Sequence, residues 1–587
     1  MLVLLDYNNT RMPERRADVY EELVKLLLDR WEGVRSSEVD RRPQRIGERL
    51  GLPHLTIEEL RPALHELAFT AHQQLVDGRG VITGPLLRET LDWFFARKLD
   101  PARPALHLGA AAVIRERFMG LLIEESGLLL EDAPESEAVK ATYVFPHLTF
   151  EEYLAGCHLA GRDGQGIDLA YTQWETGGER WREVVYLLMG RLLRQEKYDN
   201  LFLWLQRLVA VRCGPQVKLP LQHQRDILLA VACYAEVEGR AAFATTHHDL
   251  VRFEDDLRSA LVTLLERPDP TLVLSERLEA AEALAELDDP RFPTTAQQWQ
   301  AEWARRTTTF GQPTGYWCYV SGGQYQIGGW PEDAEAKEGM VDKLQGVARR
   351  LIHRGTQITL PAFWLARYPI TVAQYAPFVA EGYREDAEHW WTKAGWQWKQ
   401  AQKRRQPWGW NDATDNGPNQ PVIGLTWYEA TAYCAWLNAQ VAAQGYEFRL
   451  PTEAEWEAAA AYDAQMQRRN YPWGADEPTP ERAIYGASKL GRPAPVGCCP
   501  SGAAACGALD LAGNVWEWTT SSYKGYPAQS GTLEKGFTPG DDDVPLRGGS
   551  YYDSSTNVRC GARPRLHPDD NILYDGDGVR VCAAPRS

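Results

Sequence analysis

Several features that would assign a function at once are missing from this sequence of 587 residues. It contains no GxxxxGK[ST] segment, the glycine-rich loop that cradles nucleotide phosphates. Its ten cysteines include no CxxC pair and no spacing typical of zinc ligands. No apolar run approaches the roughly 20 residues that a membrane-spanning helix needs. The sequence therefore predicts neither a nucleotide-hydrolysing site nor a zinc module nor a transmembrane protein.

The sequence also lacks an excess of positive charge. Lys and Arg number 63 against 80 Asp and Glu, and the net charge is −17. Phosphate groups would be repelled, so we expect neither nucleic acid nor a membrane surface as a partner. The apolar start at residues 1–5 meets Asp6 too early for a signal peptide, and the adjacent Cys498 and Cys499 are poorly placed for a mutual bridge. These features indicate a reduced, cytoplasmic protein.

What the sequence does contain falls into two halves with different patterns. Up to about residue 290, apolar residues recur with the 3.6-residue period of amphipathic helices. From Tyr316 onward Trp, Tyr and Gly become frequent, and short strands alternate with long loops. The predicted fold class is multidomain, with an all-α N-terminal half followed by an α+β domain that has a small antiparallel sheet. The predicted domains are residues 1–170, a helical connector over 171–292, a linker over 293–315, and a C-terminal domain over 316–587.

The helical half contains no catalytic constellation. In the run from Phe145 to Leu154, Thr149 is positioned to cap a helix with Glu152 in the capping-box position, and His147 is expected to pack or hydrogen-bond rather than to bind a metal. This run and the segment Leu2 to Trp31 resemble the C-terminal end of a NACHT-type signalling NTPase. The resemblance implies that the nucleotide-binding part lies upstream. Residues 275–292 resemble one repeat of a helical solenoid.

The C-terminal domain is organised around the stretch from Asp510 to Trp518. Gly513 and Asn514 tolerate positive φ and predict a tight turn, and alternation in Val515-Trp516-Glu517-Trp518 predicts a strand with both indoles on one face. Asp510, Glu517 and the carbonyl groups of the turn are the oxygen ligands that calcium prefers. The alternative is that the two acids only cap backbone N–H groups. Upstream, Thr371, Thr426 and Thr452 are each placed to cap a helix, the last with Glu455 in the capping-box position.

The ordered motifs Arg449-Leu450-Pro451-Thr452-Glu453, Gly513-Asn514-Val515-Trp516-Glu517-Trp518 and Arg547-Gly548-Gly549-Ser550 resemble the formylglycine-generating-enzyme (sulfatase-modifying-factor) domain. This resemblance implies a C-type-lectin fold and one structural calcium ion held by the Asp510 and Glu517 side chains and the Gly513 and Val515 carbonyls. It also pairs Cys560 with Cys434. Enzymes of that family hold copper with two cysteines shortly after the RGGS motif, and residues 551–559 contain none. We therefore expect no copper and no enzymatic activity.

The segment 551–577, where that chemistry would lie, is rich in Tyr, Ser, Asn and Asp, residues typical of adaptable binding surfaces. It resembles the variable region of diversity-generating-retroelement variable proteins. The predicted ligand-binding residues are Tyr551, Tyr552, Asp553, Ser555, Asn557, Leu566, His567, Asp570, Asn571, Leu573, Tyr574 and Asp577. The predicted backbone anchors are Arg559, Arg563, Arg565 and Arg580. The alternative interpretation is an ordinary polar loop.

The sequence therefore predicts a ligand-recognition protein, the sensor part of a NACHT-type signalling or defence system, whose partner at 551–577 is a protein. One rival function is that of a formylglycine-generating or related copper- and oxygen-dependent oxidase. A second rival is a calcium-dependent carbohydrate lectin, which is disfavoured because the predicted ion would be buried beneath the Trp pair.

Overall fold

The computed structural model of the chain describes residues 16–33, 46–76, 79–125, 127–133, 141–210, 219–244, 249–267, 272–330, 355–412, 414–523, 542–570 and 576–586. These residues form two compact units, one made of the described residues within 16–212 and 220–257 and the other of Leu219 and the described residues within 258–586. Each unit has its own hydrophobic core.

The first unit is mainly helical, as the sequence predicts, and adds a small sheet. Its helices are α1 (Arg16–Gly33), α2 (Ile46–Leu50), α3 (Ile57–Gln73), α4 (Gly84–Leu99), α5 (Leu108–Gly120), α6 (Leu148–Ala160), α7 (Asp163–Gly177), α8 (Arg182–Arg194), α9 (Tyr198–Val209), α10 (Leu221–Glu236) and α11 (Gly239–Phe243), with α12 (Leu250–Glu266) at the unit boundary. Short 3-10 turns cover Pro104–His107 and Gly178–Trp181, and a π turn covers Leu121–Glu125. Strands β1 (Leu75–Val76), β2 (Arg79–Thr83), β3 (Leu130–Ala133) and β4 (Thr142–Val144) form an antiparallel sheet in the order β1-β2-β4-β3.

The start of α6 differs from the prediction by two residues. The N-cap is His147, whose ring nitrogen accepts a hydrogen bond from the Thr149 N–H, so Thr149 lies inside the first turn. His147 therefore has the hydrogen-bonding role expected of it. The sequence interpretation chose the threonine because threonine is a common cap, whereas a histidine rarely serves as one.

The second unit combines helices with short strands. Its helices are α13 (Leu274–Glu286), α14 (Ala296–Ala304), α15 (Val372–Gly382), α16 (Lys393–Ala401), α17 (Trp427–Gln440) and α18 (Glu453–Ala461), and 3-10 turns cover Glu388–Trp390, Gly486–Ser488 and Pro500–Gly502. Its strands are β5 (Trp317–Val320), β6 (Gly323–Ile327), β7 (Thr356–Leu360), β8 (Phe363–Ala366), β9 (Tyr446–Arg449), β10 (Trp516–Trp518), β11 (Val544–Arg547), β12 (Arg565–Leu566), β13 (Asp577–Gly578) and β14 (Cys582–Pro585).

The strands of the second unit form three small sheets. One has the order β5-β8-β14-β9, in which the last strand of the chain pairs antiparallel with both β8 and β9. Another has the order β12-β11-β10-β13, with β10 antiparallel to β11 and parallel to β13. Strands β6 and β7 form a separate antiparallel pair. The predicted α+β class with small antiparallel sheets and much irregular backbone is confirmed, with one parallel pairing added.

The predicted linker over 293–315 is wrong, because it contains α14 and part of the core. Trp299 and Trp303 of this helix are buried among the aromatic side chains of the second unit. Glu302 accepts a hydrogen bond from the Tyr316 N–H at 2.9 Å and so ties the helix to the start of β5. The two Trp residues are four positions apart, the helical spacing that could have revealed this helix in the sequence.

The predicted connector over 171–292 is also divided differently. Its first part belongs to the first unit, whereas α13 belongs to the second. The Asn419 side chain donates to the buried Asp289 carboxylate at 2.8 Å, and Arg277 of α13 donates to the carbonyls of Pro480 and Glu481. Hydrogen bonds of this kind join segments that are remote in the sequence, so they leave no periodic pattern that could be recognised there. None of the helices in the described ranges is long and apolar enough to cross a membrane.

Candidate ligand-binding surface and the turn beneath it

The turn from Asp510 to Asn514 has the geometry that its residues predict. Gly513 and Asn514 both have positive φ, at 80° and 67°. A Cβ atom on Gly513 would lie 2.2 Å from the Ile484 carbonyl oxygen, so only glycine fits there. The Asn514 side chain donates to the Ala494 carbonyl and accepts from the Ala494 N–H. The turn is therefore held to a remote loop by both ends of one amide.

Strand β10 follows this turn, and its side chains alternate as predicted. Trp516 and Trp518 are both buried in the larger core of the second unit. Glu517 points to the other side, where Arg580 meets it. The Arg580 Nε lies 2.8 and 2.9 Å from the two carboxylate oxygens of Glu517, and Nη2 lies 2.7 Å from Oε1. Both side chains are fully buried, so the carboxylate is neutralised by a guanidinium within the core.

Glu517 has a further donor, and Asp510 has a different environment. The Trp456 indole Nε1 donates to Glu517 Oε2 at 2.6 Å. Asp510 Oδ2 accepts from the Gly497 N–H at 2.6 Å. Burial raises the pKa of the Asp510 carboxyl to about 6, although the hydrogen bond from Gly497 acts in the opposite direction. The two carboxylates therefore differ in charge balance, because Glu517 is paired with Arg580 while Asp510 depends on a backbone amide.

These contacts bear on the predicted calcium site. Both oxygens of Glu517 already accept hydrogen bonds from cationic or indole donors, and the Gly513 carbonyl accepts from the Val515 N–H. The set Asp510, Gly513, Val515 and Glu517 thus fits a cation poorly while Arg580 holds Glu517. Within the described ranges no group of three or more His, Cys, Asp or Glu side chains is disposed to bind a metal. The calcium site stays a prediction.

Helix α18 supplies a buried acidic row that sequence reasoning missed. Glu453, Glu455 and Glu457 are all buried, and each carboxylate faces arginine side chains from elsewhere in the chain. Glu455 accepts two hydrogen bonds from Arg449, at 2.7 and 2.8 Å. Arg547 is paired with Glu457, which also accepts from Arg468 at 2.6 Å. The alternating Glu residues in the Thr-Glu-Ala-Glu-Trp-Glu sequence are the signal that could have revealed this row.

The predicted anchor Arg563 ends on the same helix. Its Nη2 donates to Glu453 Oε2 at 2.7 Å, and Arg547 also approaches Glu453. Arg559 donates to the Thr556 carbonyl, whereas Arg565 is mostly exposed and lies 3.3 Å from Asp543. Of the predicted anchors, Arg559 and the buried Arg580 donate to backbone carbonyls, Arg563 holds a side chain of α18, and the exposed Arg565 does not have the anchoring role predicted for it.

Of the two tyrosines after the RGGS motif, Tyr552 lies at the surface, whereas Tyr551 packs partly against a small core cluster. Tyr552 is 43% exposed, and its ring meets that of the half-buried Tyr551 edge to face at 5.1 Å. The Tyr551 N–H donates to the Asn514 carbonyl, so the surface segment starts directly from the turn described above. A Cβ atom on Gly486 would lie 2.9 Å from the Asp553 carbonyl oxygen, so the neighbouring loop packs closely against this segment.

Asp553 was predicted to contact ligand, but it is buried and organises the turn. Its Oδ2 accepts from the Ser550 N–H at 2.9 Å and from the Ser550 hydroxyl at 2.6 Å. Its Oδ1 accepts from the Asn557 side chain at 2.6 Å. The spacing of three residues between Ser550 and Asp553 is the signal for such a turn. Asp553 therefore shapes the surface from beneath.

Asp577 is a second correction. It is 3% exposed and forms β13 with Gly578, opposite Trp516 of β10. A residue in a strand buried on both faces cannot contact a ligand at the surface. The predicted residues Asn571, Leu573 and Tyr574 lie outside the described residues.

The remaining predicted residues are at least partly exposed. Ser555 and Asn557 follow the two tyrosines, and Leu566, His567 and Asp570 form a second stretch. The His567 N–H donates to Asp570 Oδ2 at 3.0 Å, and the Asp569 carboxylate raises the pKa of the His567 ring. We call the set Tyr551, Tyr552, Ser555, Asn557, Leu566, His567 and Asp570 the recognition surface.

The cysteines of the domain are buried thiols. Cys434 and Cys560, which the family resemblance pairs, are both free and lie in different core clusters. The expected pairing is therefore wrong for this chain.

Comparison with known proteins identifies both halves. Residues 304–584 match the sulfatase-modifying factor enzyme 1-like domain. The inactive C-alpha-formylglycine-generating enzyme 2 of Mus musculus is 30% identical over 270 residues, which cover 39% of this chain and 77% of that protein. The chain belongs to the sulfatase-modifying factor family. Residues 16–159 match the winged helix-turn-helix domain that lies C-terminal to NACHT. Both family resemblances are thus confirmed at the level of the domain.

Other known proteins also match this chain. Hercynine oxygenase of Mycolicibacterium thermoresistibile is 39% identical over 238 residues, covering 37% of this chain and 50% of that protein. The formylglycine-generating enzyme of Thermomonospora curvata is 29% identical over 315 residues, covering 45% of this chain and 92% of that protein. The chain spans about half the length of the hercynine oxygenases that it matches.

Among solved structures, Treponema denticola variable protein 1 matches with a TM-score of 0.32 and 17% identity, covering 47% of this chain and 98% of that one. This likeness is too low to carry an argument about function.

These relatives correct one prediction. The sequence interpretation excluded an enzyme because residues 551–559 contain no cysteine pair. However, hercynine oxygenase and formylglycine-generating enzyme are enzymes, and they match this domain of the chain. The domain is therefore of an enzyme family, and the exclusion is wrong. The exclusion depended only on the absence of the copper-binding cysteine pair, whereas one fold can support more than one kind of chemistry.

Proposed function

We propose that this protein recognises a ligand at the recognition surface and is the sensor part of a NACHT-type signalling system. The proposed ligand is a protein. Tyrosine combines a large rigid contact area with a polar tip, and Ser and Asn add adaptable hydrogen bonds, a composition suited to protein ligands. The NACHT-associated winged helix in the same chain supports a link between recognition and signalling.

The observation that supports this proposal most directly is that the exposed Tyr552 side chain lies between two neighbours that are held in place by hydrogen bonds. Tyr552 is exposed, yet its neighbours on both sides are fixed by the hydrogen bond from Tyr551 N–H to Asn514 and by the contacts of Asp553. A side chain on such a backbone is presented in one place without contributing to the core. Substitutions there are tolerated, because surface changes alter stability by only about 0.5 kcal/mol.

Binding should therefore depend on Tyr552 while folding does not. Protein fragments selected against the full chain from a displayed genomic library provide the probes. We expect Tyr552→Ala to weaken their binding by about 30-fold or more, since aromatic anchors often carry over 2 kcal/mol of an interface. The melting temperature should stay nearly the same.

Trp408→Ala is the matched control, because Trp408 is an exposed aromatic residue, at 52%, elsewhere in the same unit. It should leave the selected fragments bound. Fragments that bind equally well to wild type and Tyr552→Ala, or that are lost only with Trp408→Ala, would refute the proposed surface.

We further propose that the recognition surface is diversified in sequence. Homologous genes from related strains should then differ at Tyr552, Ser555 and Asn557 but keep Asp553 and Asp577, which are buried. Changes spread evenly over buried and exposed positions would argue against diversification.

A second candidate function is oxidation of a substrate with oxygen, and the named activities of the relatives favour it. Its test is oxygen consumption by the full chain with hercynine, and aldehyde formation on a cysteine-containing peptide, with and without added iron or copper. Turnover that is lost with Tyr552→Ala would make the recognition surface a substrate site. Fragment binding without turnover of either substrate would favour the sensor.

A further inference from the structure

Two cysteines that are remote in sequence meet inside the second unit. Cys318 lies on β5, and Cys506 lies in a turn after the 3-10 segment Pro500–Gly502. Both are fully buried in the same core cluster, and each thiol shifts the pKa of the other. The Cβ position of Gly507, beside Cys506, is 3.7 Å from the Cys318 sulfur, which places the turn against the strand.

The backbone at both cysteines is fixed by hydrogen bonds. The turn at Cys506 is closed by hydrogen bonds from Ala504 N–H to the Ala508 carbonyl and from Gly507 N–H to the Ala504 carbonyl, each 2.8 Å. The Cys506 thiol also lies 3.4 Å from the Ala459 carbonyl of α18. Strand β5 pairs in register with β8, with Cys318 opposite Leu365. The turn and the strand that hold the two cysteines are thus each fixed by hydrogen bonds.

We propose that Cys318 and Cys506 form a redox-active dithiol that closes to a disulfide between β5 and the 504–508 turn. With hydrogen peroxide as oxidant, the sulfur of one thiolate attacks the O–O bond, forming a sulfenic acid and releasing hydroxide, which takes up a proton to become water. The second thiol then attacks that sulfur, so that the S–S bond forms, the S–O bond breaks and a second water leaves. Both cysteines are oxidised, and the peroxide is reduced to two waters.

The environment distinguishes the roles of the two thiols. The hydrogen bond from the Cys318 thiol lowers the pKa of Cys506, whereas burial raises the pKa of Cys318. Cys506 is therefore the thiol that ionises first and attacks the oxidant, since the thiolate is the reactive form. Cys318 completes the bridge.

Cys560 offers a comparison within the same cluster. It is equally buried, but burial and the charges of Arg547 and Glu457 set its environment rather than a neighbouring thiol. It should stay reduced under conditions that close the Cys318–Cys506 bridge. Because all three thiols are buried, a difference in oxidation between Cys560 and the pair would result from the pairing and not from a difference in solvent access.

The test treats the purified full chain with hydrogen peroxide, alkylates the remaining thiols after denaturation and maps the peptides by mass spectrometry. We expect a linked pair of peptides containing Cys318 and Cys506, with the loss of two hydrogens and full reversal by a thiol reductant. The melting temperature should rise by about 5–10 °C, because a bridge that closes a long loop restricts the unfolded chain. Cys560→Ser should leave both results unchanged.

Cys318→Ser and Cys506→Ser should each abolish the link and the rise in melting temperature. If these variants do not fold, the peptide map of the unsubstituted chain decides alone. Alkylation of both Cys318 and Cys506 after oxidation, or links confined to Cys498–Cys499 or Cys434–Cys582, would overturn the proposal.

Discussion

Asp510 and Glu517 show how two buried carboxylates near one turn are stabilised by different means. Glu517 faces the Arg580 guanidinium and the Trp456 indole, so its charge is balanced within the core. Asp510 accepts from the Gly497 N–H and has its pKa raised to about 6 by burial. Sequence reasoning found both acids and offered either a cation or backbone N–H groups as their partners. It missed Arg580 as the partner of Glu517, because the contact joins segments far apart in the chain.

Replacing Arg580 with Met should destabilise the domain strongly. The methionine fills much of the space but leaves Glu517 as an unpaired charge in the core, a change that costs about 3–5 kcal/mol. Chemical denaturation measures the free energy of unfolding. Arg384→Met is the control, because the Arg384–Asp386 pair is mostly exposed and should contribute less than about 0.5 kcal/mol. Equal effects of the two substitutions would contradict the assigned role of Arg580.

Asp510→Asn should stabilise the domain near neutral pH when a chelator is present. The pKa of Asp510 is higher in the folded protein than the ordinary value of 3.8, so the folded state binds the proton more tightly than the unfolded state does. Stability is therefore lost as the pH rises from about 4 through 6, by about 1–3 kcal/mol. The asparagine can still accept from Gly497 and carries no charge, so this part of the pH dependence should disappear.

The same variant tests the calcium hypothesis. If the turn binds calcium, added calcium raises the melting temperature of the wild-type chain by mass action and fails to do so for Asp510→Asn. If calcium and chelation leave the wild-type melting temperature unchanged, the two acids only support the turn. If Asp510→Asn is less stable than wild type at pH 7 in chelator, the assigned effect of burial on Asp510 is wrong.

At the scale of elements, local signals predicted the helix starts in the second unit well. Thr371, Thr426 and Thr452 each form a complete capping box with the residue three positions on. These interactions lie within four residues, so the sequence contains all of their parts. The ion pairs of Glu457 and Glu453 could not be predicted in the same way, because their partners Arg547 and Arg563 lie 90 and 110 residues further along the chain.

Thr452→Ala should lower the stability of the second unit by about 1–2 kcal/mol, the usual effect of removing a helix cap. The Thr452 hydroxyl accepts from the Glu455 N–H and donates to the Glu455 carboxylate, and both residues are buried. Urea unfolding gives the difference. Thr431→Ala is the matched control, because Thr431 lies inside α17 and its hydroxyl bonds only to carbonyls of the preceding turn. It should change stability by less than about 0.5 kcal/mol.

At the scale of the whole molecule, the change from helical periodicity to dense Trp and Gly predicted two architectures correctly. It misplaced the point where one unit ends and the next begins. The second unit includes α13 and α14, although their helical pattern continues that of the first unit. The change in composition marks where the strands of the second unit begin. Its hydrophobic core begins earlier, because helices that precede the strands also belong to that core.

The boundary can be tested by truncation. A chain that starts at residue 272 keeps α13 and α14, whereas one that starts at 316 loses Trp299 and Trp303 from the core and Glu302 from its bond to Tyr316. Each large aromatic residue lost from a core costs about 3–5 kcal/mol, and a domain is stable by only about 5–15 kcal/mol. The longer chain should therefore melt cooperatively with a strong near-ultraviolet circular dichroism signal. The shorter chain should show neither property. Equal melting of the two chains would restore the linker over 293–315, and failure of both would show that the second unit needs residues before 272.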